Sequence, residues 1–185
     1  MKIIGITGTN GAGKGTLVEF LIKQKGYNHF SVREFLIEEI KKKGLPVNRD
    51  SMVIVANELR TKHSPSYIVE RLFERAEKLK NNCIIESLRA VGEVEALKKK
   101  EGFLFLAVDA DPEIRFKRIR LRDSETDKID FTTFLSNEQR EMNSEDPFKQ
   151  NLSKCIAMAD HVFMNSGTID EFYKELEGYF GNIEN

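Results

Sequence analysis

The fold of this chain is decided by the stretch Ile3-Ile4-Gly5-Ile6-Thr7-Gly8-Thr9-Asn10-Gly11-Ala12-Gly13-Lys14-Gly15-Thr16. An apolar run of strand length comes first, a glycine-rich loop follows, and Leu17, Phe20 and Leu21 then recur at helical spacing. Glycines let the backbone turn sharply and point several N–H groups to one place, which makes a nest for an anion. The N-terminus of the following helix adds a partial positive charge. This order of strand, loop and helix predicts a phosphate-binding loop (P-loop) from Gly8 to Thr16.

Two residues of the P-loop have roles that follow from their type and position. The ammonium group of Lys14 can supply a point charge to the β- and γ-phosphates of a triphosphate. General P-loops place Ser or Thr directly after the lysine to meet magnesium, whereas this chain has Gly15 there and Thr16 next. The variant Gly-Lys-Gly-Thr resembles the loop of the nucleoside monophosphate kinases, adenylate kinase among them. That resemblance implies ATP and Mg²⁺ as cofactors, Lys14 as a catalytic residue and Thr16 as a residue close to the metal.

The rest of the chain alternates short apolar runs with segments of helical periodicity. Each apolar run has the length of a strand, and most are rich in Ile, Val or Phe. The runs are Lys2–Thr7, Tyr27–Val32, Cys83–Glu86, Phe103–Asp109 and His161–Met164. Strands that alternate with helices predict a parallel sheet with helices on both faces. We therefore expect a three-layer α/β/α fold with a five-stranded parallel sheet, in a single P-loop kinase domain of residues 1–185.

Helix boundaries are predicted from capping residues as well as from periodicity. Asn48 is a typical N-cap, and Pro65 and Pro112 suit a first helical turn, where a missing N–H group costs nothing. The predicted helices are Lys14–Lys25, Ser31–Lys43, Asn48–Lys62, one that begins at Ser64-Pro65, Glu113–Arg122, Phe131–Met142, Phe148–Ala159 and Ile169–Phe180. The resemblance implies acceptor-binding helices at about residues 31–80 and a short lid at about residues 118–145. The polar stretch 122–128 is either the mobile part of that lid or a solvated connection.

Composition and charge exclude several classes of protein. The 185 residues carry a net charge of −1, whereas general nucleic-acid binding leaves a basic footprint. No apolar stretch approaches the ~18 residues of a membrane span, and the run after Met1 is too short for a signal peptide. Cys83 and Cys155 lack the spacing of a zinc site and are typical of buried core residues. We therefore expect a cytoplasmic protein whose partner is a small-molecule nucleotide, with neither nucleic acid nor membrane as a partner.

Arginines follow the second and third predicted strands and recur in the helix before the polar stretch. Arg33 comes after the second strand and Arg89 after the third. Arg115, Arg118 and Arg122 are spaced by three and four residues, so they share one helix face. Ligands of doubly wound sheets bind at the carboxyl ends of the strands, and a guanidinium group binds phosphate bidentately. These arginines therefore predict anion binding at that edge of the sheet.

The same arginines resemble those that hold the acceptor and close the lid in monophosphate kinases. In that family, one arginine after the second strand and one in an Asp-Gly-x-Pro-Arg segment after the third hold the acceptor phosphate. The resemblance implies substrate-binding roles for Arg33, Arg89 and, as a third residue, Arg60. Lid arginines clamp the phosphates in transit. That likeness implies catalytic roles for Arg118, Arg122 and Arg140.

The stretch from Ala159 to Ile169 resembles the last strand and loop of adenylate and dephospho-CoA kinases. In those enzymes the backbone of this loop touches the ATP base, which implies cofactor contacts for Asn165 and Gly167. The resemblance spans nearly the whole chain and implies an ATP-dependent phosphotransferase. Its favoured acceptor is a nucleoside or deoxynucleoside monophosphate.

Other acceptors and other functions stay open at this point. The segment Glu86-Ser87-Leu88-Arg89 replaces Asp-Gly-x-Pro-Arg, and the His-Pro pair of bacterial dephospho-CoA kinases is absent. Adenylate, a deoxynucleotide and dephospho-CoA are therefore all retained as acceptors. A regulatory nucleotide switch would need a guanine-selecting Asn-Lys-x-Asp, which does not occur. A P-loop ATPase would leave the arginines after the second and third strands unexplained.

Two carboxylates end apolar strands and compete for the magnesium site. Glu86 ends the third predicted strand and Asp109 the fourth, and both strands should neighbour the strand of the P-loop. The sequence Asp109-Ala110-Asp111-Pro112 also has the form of a turn that opens a helix, in which Asp111 is the cap and Asp109 a supporting acceptor. Glu86 matches the acidic residue of the monophosphate kinases by position, so the resemblance favours Glu86 as the metal carboxylate, together with Thr16.

Overall fold

The computed structural model describes residues 1–121 and 129–184. These residues form a five-stranded sheet from β1 (Ile3–Gly8), β2 (Asn28–Ser31), β3 (Cys83–Glu86), β4 (Phe103–Asp109) and β5 (His161–Met164). Every pairing is parallel, and the strand order is β2-β3-β1-β4-β5. The strand that leads into the P-loop therefore lies at the centre, between β3 and β4.

Helices fill the connections between the strands. The helices in the described residues are α1 (Lys14–Lys25), α2 (Val32–Lys42), α3 (Arg49–Lys62), α4 (Tyr67–Leu79), α5 (Val91–Lys98), α6 (Pro112–Leu121), α7 (Phe131–Met142), α8 (Leu152–Ala157) and α9 (Ile169–Glu184). Two separate apolar clusters show that these helices cover both faces of the sheet. Helices α2, α3, α4, α5 and α8 pack on one face, and α1 and α9 pack on the other. None of the helices within these ranges is both long and apolar enough to cross a membrane.

Parallel register and burial explain why the strands have so few polar residues. All six residues of β1 are buried, because neighbouring strands cover its edges and helices cover its faces. Register partners share a face, so Ile3 and Cys83 belong to one apolar cluster and Ile4 and Ile84 to the other. Cys155 lies in the first cluster, where burial raises the pKa of its thiol to about 12. Both cysteines are thus core residues, as predicted.

The predicted three-layer fold with a five-stranded parallel sheet is confirmed, and most element boundaries agree within two residues. Asn48 caps α3 as predicted, because its side chain accepts from the N–H of Ser51 at 2.8 Å. The predicted helix from Phe148 is wrong at its start: α8 begins at Leu152, and the side chain of Asn151 caps it. Helix α5 was not predicted.

Candidate active site

A cleft of about 760 Å³ lies at the carboxyl ends of β1, β2 and β3. Its walls come from the P-loop, the first turns of α2, one side of α3 and the segment after β3. A volume of several hundred cubic ångströms is typical of small-molecule sites. Ten predicted site residues line it: Asn10, Gly11, Gly13, Lys14, Gly15, Thr16, Arg33, Arg60, Glu86 and Arg89. The structure therefore gathers the predicted donor and acceptor residues in one cleft.

The P-loop needs glycine at Gly11 and Gly13 for two separate reasons. Both residues have positive φ angles, +82° and +108°, which side chains rarely adopt. Each is also packed from behind: a Cβ on Gly13 would lie 2.3 Å from Nδ2 of Asn165, and one on Gly11 would lie 2.6 Å from the carbonyl oxygen of Arg115. The same amide of Asn165 donates to the carbonyl oxygen of Ala12 at 2.8 Å. The loop is therefore held in shape by the loop after β5 and by α6.

Lys14 and Asp109 stabilise the first part of the P-loop. The Nζ of Lys14 donates to the carbonyl oxygens of Gly8 at 2.9 Å and of Thr9 at 2.8 Å. Thr9 Oγ1 donates to Asp109 Oδ1 at 2.5 Å, and the same oxygen accepts from the N–H of Ala110 at 2.8 Å. Asp109 thus supports the loop from the neighbouring strand, and it is not among the residues that line the cleft.

Glu86 is the strand-end carboxylate that faces the cleft. Its Oε2 lies 3.1 Å from Nε2 of His29, a residue of β2 that the sequence did not assign to the site. Burial alone would raise the pKa of Glu86, but the hydrogen bond from His29 and the positive charge of Lys14 lower it below its ordinary value. An ionised carboxylate is therefore held beside the P-loop, where a cation could meet it.

Two further charged residues belong to the arginine side of the cleft. Arg89 and Arg49 both form ion pairs with Glu141, so one carboxylate bridges the two guanidinium groups. Burial would raise the pKa of Glu141, but the charges of Arg89 and Arg49 lower it. Arg49 and Glu141 were missed by the sequence analysis. The one available signal was the position of Arg49 directly after the helix cap Asn48.

Ser87 holds an unusual backbone conformation at the edge of the cleft. Its φ angle is +73°, in the left-handed region where residues other than glycine are uncommon. Its N–H donates to the carbonyl oxygen of Ile6 at 3.0 Å. The turn therefore keeps a conformation suited to glycine although the residue is serine.

Two of the predicted lid arginines, Arg118 and Arg140, are not among the described residues that line the cleft. Nη1 of Arg118 donates to the carbonyl oxygen of Asn165 at 2.7 Å, and its Nη2 donates to that of Gly167 at 3.0 Å. Arg118 thus braces the loop predicted to contact the ATP base. Arg140 is exposed on α7, and Arg122 falls outside the described residues. The catalytic roles of these three arginines remain predictions.

The architecture and the P-loop at its centre define a P-loop kinase fold. The structure of TT1252 from Thermus thermophilus matches with a TM-score of 0.65 and 17% identity, over 98% of this chain and 97% of that one. Shikimate kinase from Bacteroides thetaiotaomicron matches with a TM-score of 0.56 and 14% identity, over 97% and 98%. These likenesses confirm the predicted fold.

Sequence comparison identifies the family. Residues 4–146 match the family described as AAA domain. A UPF0200 protein from Methanococcus maripaludis strain C7 is 32% identical over 187 residues, which cover 99% of this chain and 98% of the relative. The chain therefore belongs to the UPF0200 family and carries that AAA domain.

Proposed function

We propose that this protein transfers the γ-phosphoryl group of ATP to a small nucleotide-like acceptor, a nucleoside or deoxynucleoside monophosphate. The observation that carries this proposal is the single cleft that joins Lys14 of the P-loop to Arg33 and Arg89. Transfer between two anions requires that both be held in one site and that their charge be neutralised. A protein that only bound or hydrolysed ATP would not need the second cationic binding site formed by Arg33 and Arg89.

The residues on the donor side fit ATP with Mg²⁺. The loop backbone around Gly11 and Gly13 has the positive φ angles of an anion nest, and Lys14 stands at its end. The hydroxyl of Thr16 and the ionised carboxylate of Glu86 both line the cleft beside the loop and would hold the metal or its waters. When bound, Mg²⁺ would neutralise charge that develops on the transferred phosphoryl group.

The acceptor side of the cleft suits an anionic group. Arg33, Arg49 and Arg89 contribute three positive charges there, and Glu141 contributes one negative charge. The remaining positive charge favours a phosphate, which guanidinium groups bind with paired hydrogen bonds. An acceptor phosphate would compete with the carboxylate of Glu141 for Arg49 and Arg89.

The chemistry asks little of the protein beyond positioning. A phosphate acceptor already carries its nucleophilic oxygen, so no side chain has to remove a proton. Lys14 and the arginines would hold the two phosphates in a site that excludes bulk water, and they would stabilise the negative charge between the phosphates. For Arg118 to join them, it would have to leave the carbonyl groups of Asn165 and Gly167.

A coupled assay of ATP consumption tests the proposal. The acceptors are the ribo- and deoxyribonucleoside monophosphates, with dephospho-CoA and shikimate as alternatives. We expect turnover with at least one monophosphate and little without acceptor. ATP consumption that is the same with and without every acceptor would contradict the kinase proposal and favour an ATPase.

Replacement of Lys14 tests the donor site. Lys14→Met is expected to lower kcat at least about a hundredfold, because one preorganised charge is lost from the transition state. The matched control is Lys23→Met, which changes an exposed lysine of the same helix whose partner is Glu19. Equal activity of the two variants would overturn the assignment of the donor site.

A further inference from the structure

Arg60 is the buried arginine of the cleft. Only 2% of its surface is exposed, although it lines the cleft wall. Its Nε and Nη2 both donate to Oε1 of Glu93, at 3.1 and 2.7 Å. Its Nη1 has no hydrogen-bond partner among residues 1–121 and 129–184. A buried donor left without a partner is uncommon in folded proteins and points to a missing acceptor.

Glu93 removes the net charge of Arg60. The carboxylate is fully buried, and its second oxygen accepts from the N–H groups of Arg89 at 3.0 Å and Ala90 at 3.1 Å. Arg60 and Glu93 together therefore carry no net charge but retain one directional donor. Such a pair suits a neutral acceptor atom better than a phosphate. The phosphate-binding role predicted for Arg60 is thus less well supported than that of Arg33.

A second buried atom without a partner lies in the same cleft. Oε1 of Gln150 is a hydrogen-bond acceptor with no partner in the part of the chain that the structure describes. Gln150 lines the cleft, and the N–H of the next residue, Asn151, donates to the carbonyl oxygen of Arg89 at 2.9 Å. The segments that carry Arg60 and Gln150 are both tied to the loop around Arg89. Two residues that line one cleft therefore each have a buried side-chain atom without a partner among the described residues, one a donor and one an acceptor.

Part of the cleft wall is apolar. It is formed by side chains from α2, the loop that follows it and α3: Leu36, Val47, Met52, Val53 and Ala56. Apolar side chains with a few placed polar groups are typical of sites that bind small organic molecules. The cleft thus offers charged groups, an apolar wall and the uncharged Arg60–Glu93 pair.

We propose that Arg60 and Gln150 bind the nucleobase of the acceptor. Each nucleobase has an edge on which a hydrogen-bond acceptor stands next to an N–H donor, and this edge complements Arg60 Nη1 and Gln150 Oε1. An acceptor whose far end is a carboxylate fits poorly, because the Arg60–Glu93 pair has no net charge to offer. This inference rests on the proposed function, since it concerns the acceptor of that reaction.

Calorimetric titration tests the inference without requiring turnover. The ligands are the 5′-monophosphates of adenosine, guanosine, cytidine and uridine, compared with ribose 5-phosphate, which has the phosphate but no base. The P-loop is filled beforehand with a non-hydrolysable ATP analogue. We expect the wild type to bind at least one nucleotide about tenfold or more tightly than ribose 5-phosphate. Equal affinity for all five ligands would overturn the inference.

Two variants assign the base contact to Arg60 and Gln150. Arg60→Lys keeps a charge for Glu93 but loses the Nη1 donor, and Gln150→Met keeps the size of the side chain but loses its amide. Each is expected to weaken nucleotide binding about tenfold, or about 1.4 kcal/mol, and to leave ribose 5-phosphate binding within about twofold. Arg75→Lys, which changes an exposed arginine paired with Glu38, is the control.

The outcomes separate this inference from the proposed function. The inference would be overturned if the variants bound nucleotide and ribose 5-phosphate equally more weakly than the wild type, or bound both as tightly as the wild type. Either result would indicate a purely structural role for Arg60 and Gln150. If Arg60→Lys unfolds at a lower urea concentration than the wild type, then Gln150→Met alone tests the contact with the base. Base-dependent binding without phosphoryl transfer in the coupled assay would contradict the kinase proposal while leaving the base site intact.

Discussion

Gly13→Ala is expected to destabilise the folded protein, because it changes the backbone and the contacts of the P-loop. The φ angle of +108° costs a residue with a Cβ about 1–2 kcal/mol. The added Cβ would also lie 2.3 Å from Nδ2 of Asn165, so the amide must move. Its 2.8 Å hydrogen bond to the carbonyl oxygen of Ala12 is then lost, at about 1 kcal/mol. We therefore expect a fall of about 2–3 kcal/mol in the free energy of unfolding.

Urea unfolding followed by circular dichroism measures this loss, and Gly15→Ala is the matched control. A Cβ on Gly15 would have no heavy atom within 4 Å. Because alanine favours helix over glycine, Gly15→Ala should leave stability unchanged or raise it by up to about 1 kcal/mol. Nucleotide affinity should fall in both variants, since both positions line the cleft. Equal stability of the two variants would show that neither the φ angle nor the contact with Asn165 opposes a side chain at position 13.

A double-mutant cycle isolates the contact with Asn165. In an Asn165→Ala background the clash and the hydrogen bond are both absent, so Gly13→Ala should cost only the backbone term of about 1–2 kcal/mol. The same penalty in both backgrounds would show that Asn165 does not restrict Gly13. The remaining cost would then belong to the backbone angle.

Three further predictions concern stability and can be measured by the same urea unfolding. Ser87→Gly should leave the free energy of unfolding unchanged or raise it by up to about 1 kcal/mol. Ser87→Val should lower it by about 1–3 kcal/mol, because the φ angle of +73° opposes a β-branched side chain. A valine variant as stable as the glycine variant would be inconsistent with this angle. The free energy of unfolding should fall as the pH drops below 4.5, the ordinary pKa of a glutamate. The pKa values of Glu86 and Glu141 are lowered in the folded protein, so the ionised groups stabilise the fold above that pH. This contribution is lost as the groups become protonated in the folded protein. Glu141→Gln should lower the free energy of unfolding at pH 7 by about 1–3 kcal/mol, because the ion pairs with Arg49 and Arg89 are lost. The free energy of unfolding of this variant should also fall less steeply at acid pH than that of the wild type. The same pH dependence as in the wild type would rule out Glu141 as a source of the acid sensitivity.

The donor half of the site could be predicted because it is contiguous in sequence. Strand β1, the P-loop and α1 follow one another directly, and each has a strong local pattern. The acceptor half is assembled from α2, α3, α7 and the segment after β3, so its contacts depend on tertiary packing. Arg60 shows the difference: its residue type suggested a phosphate ligand, but its partner Glu93, 33 residues away, cancels its charge.

Helix α5 was missed because a packing requirement opposes its helical pattern. Gly92 lies in its first turn, and glycine lowers helix propensity. A Cβ at this position would lie 2.6 Å from Cβ of Pro65, so the close approach of the two segments requires glycine. No sequence pattern reveals such an approach, because it depends on residues far apart in the chain.

The hydrogen bond between Asn165 and Ala12 has a consequence for the order in which the protein becomes competent. It joins residues 153 positions apart, so the loop leaves the ribosome long before the amide that holds it. A nascent chain that stops before Asn165 has the glycines and Lys14 but lacks the group that holds the loop in shape. We therefore expect tight nucleotide binding to appear only after β5 has joined the sheet. Nucleotide affinity would then report that β5 is in place.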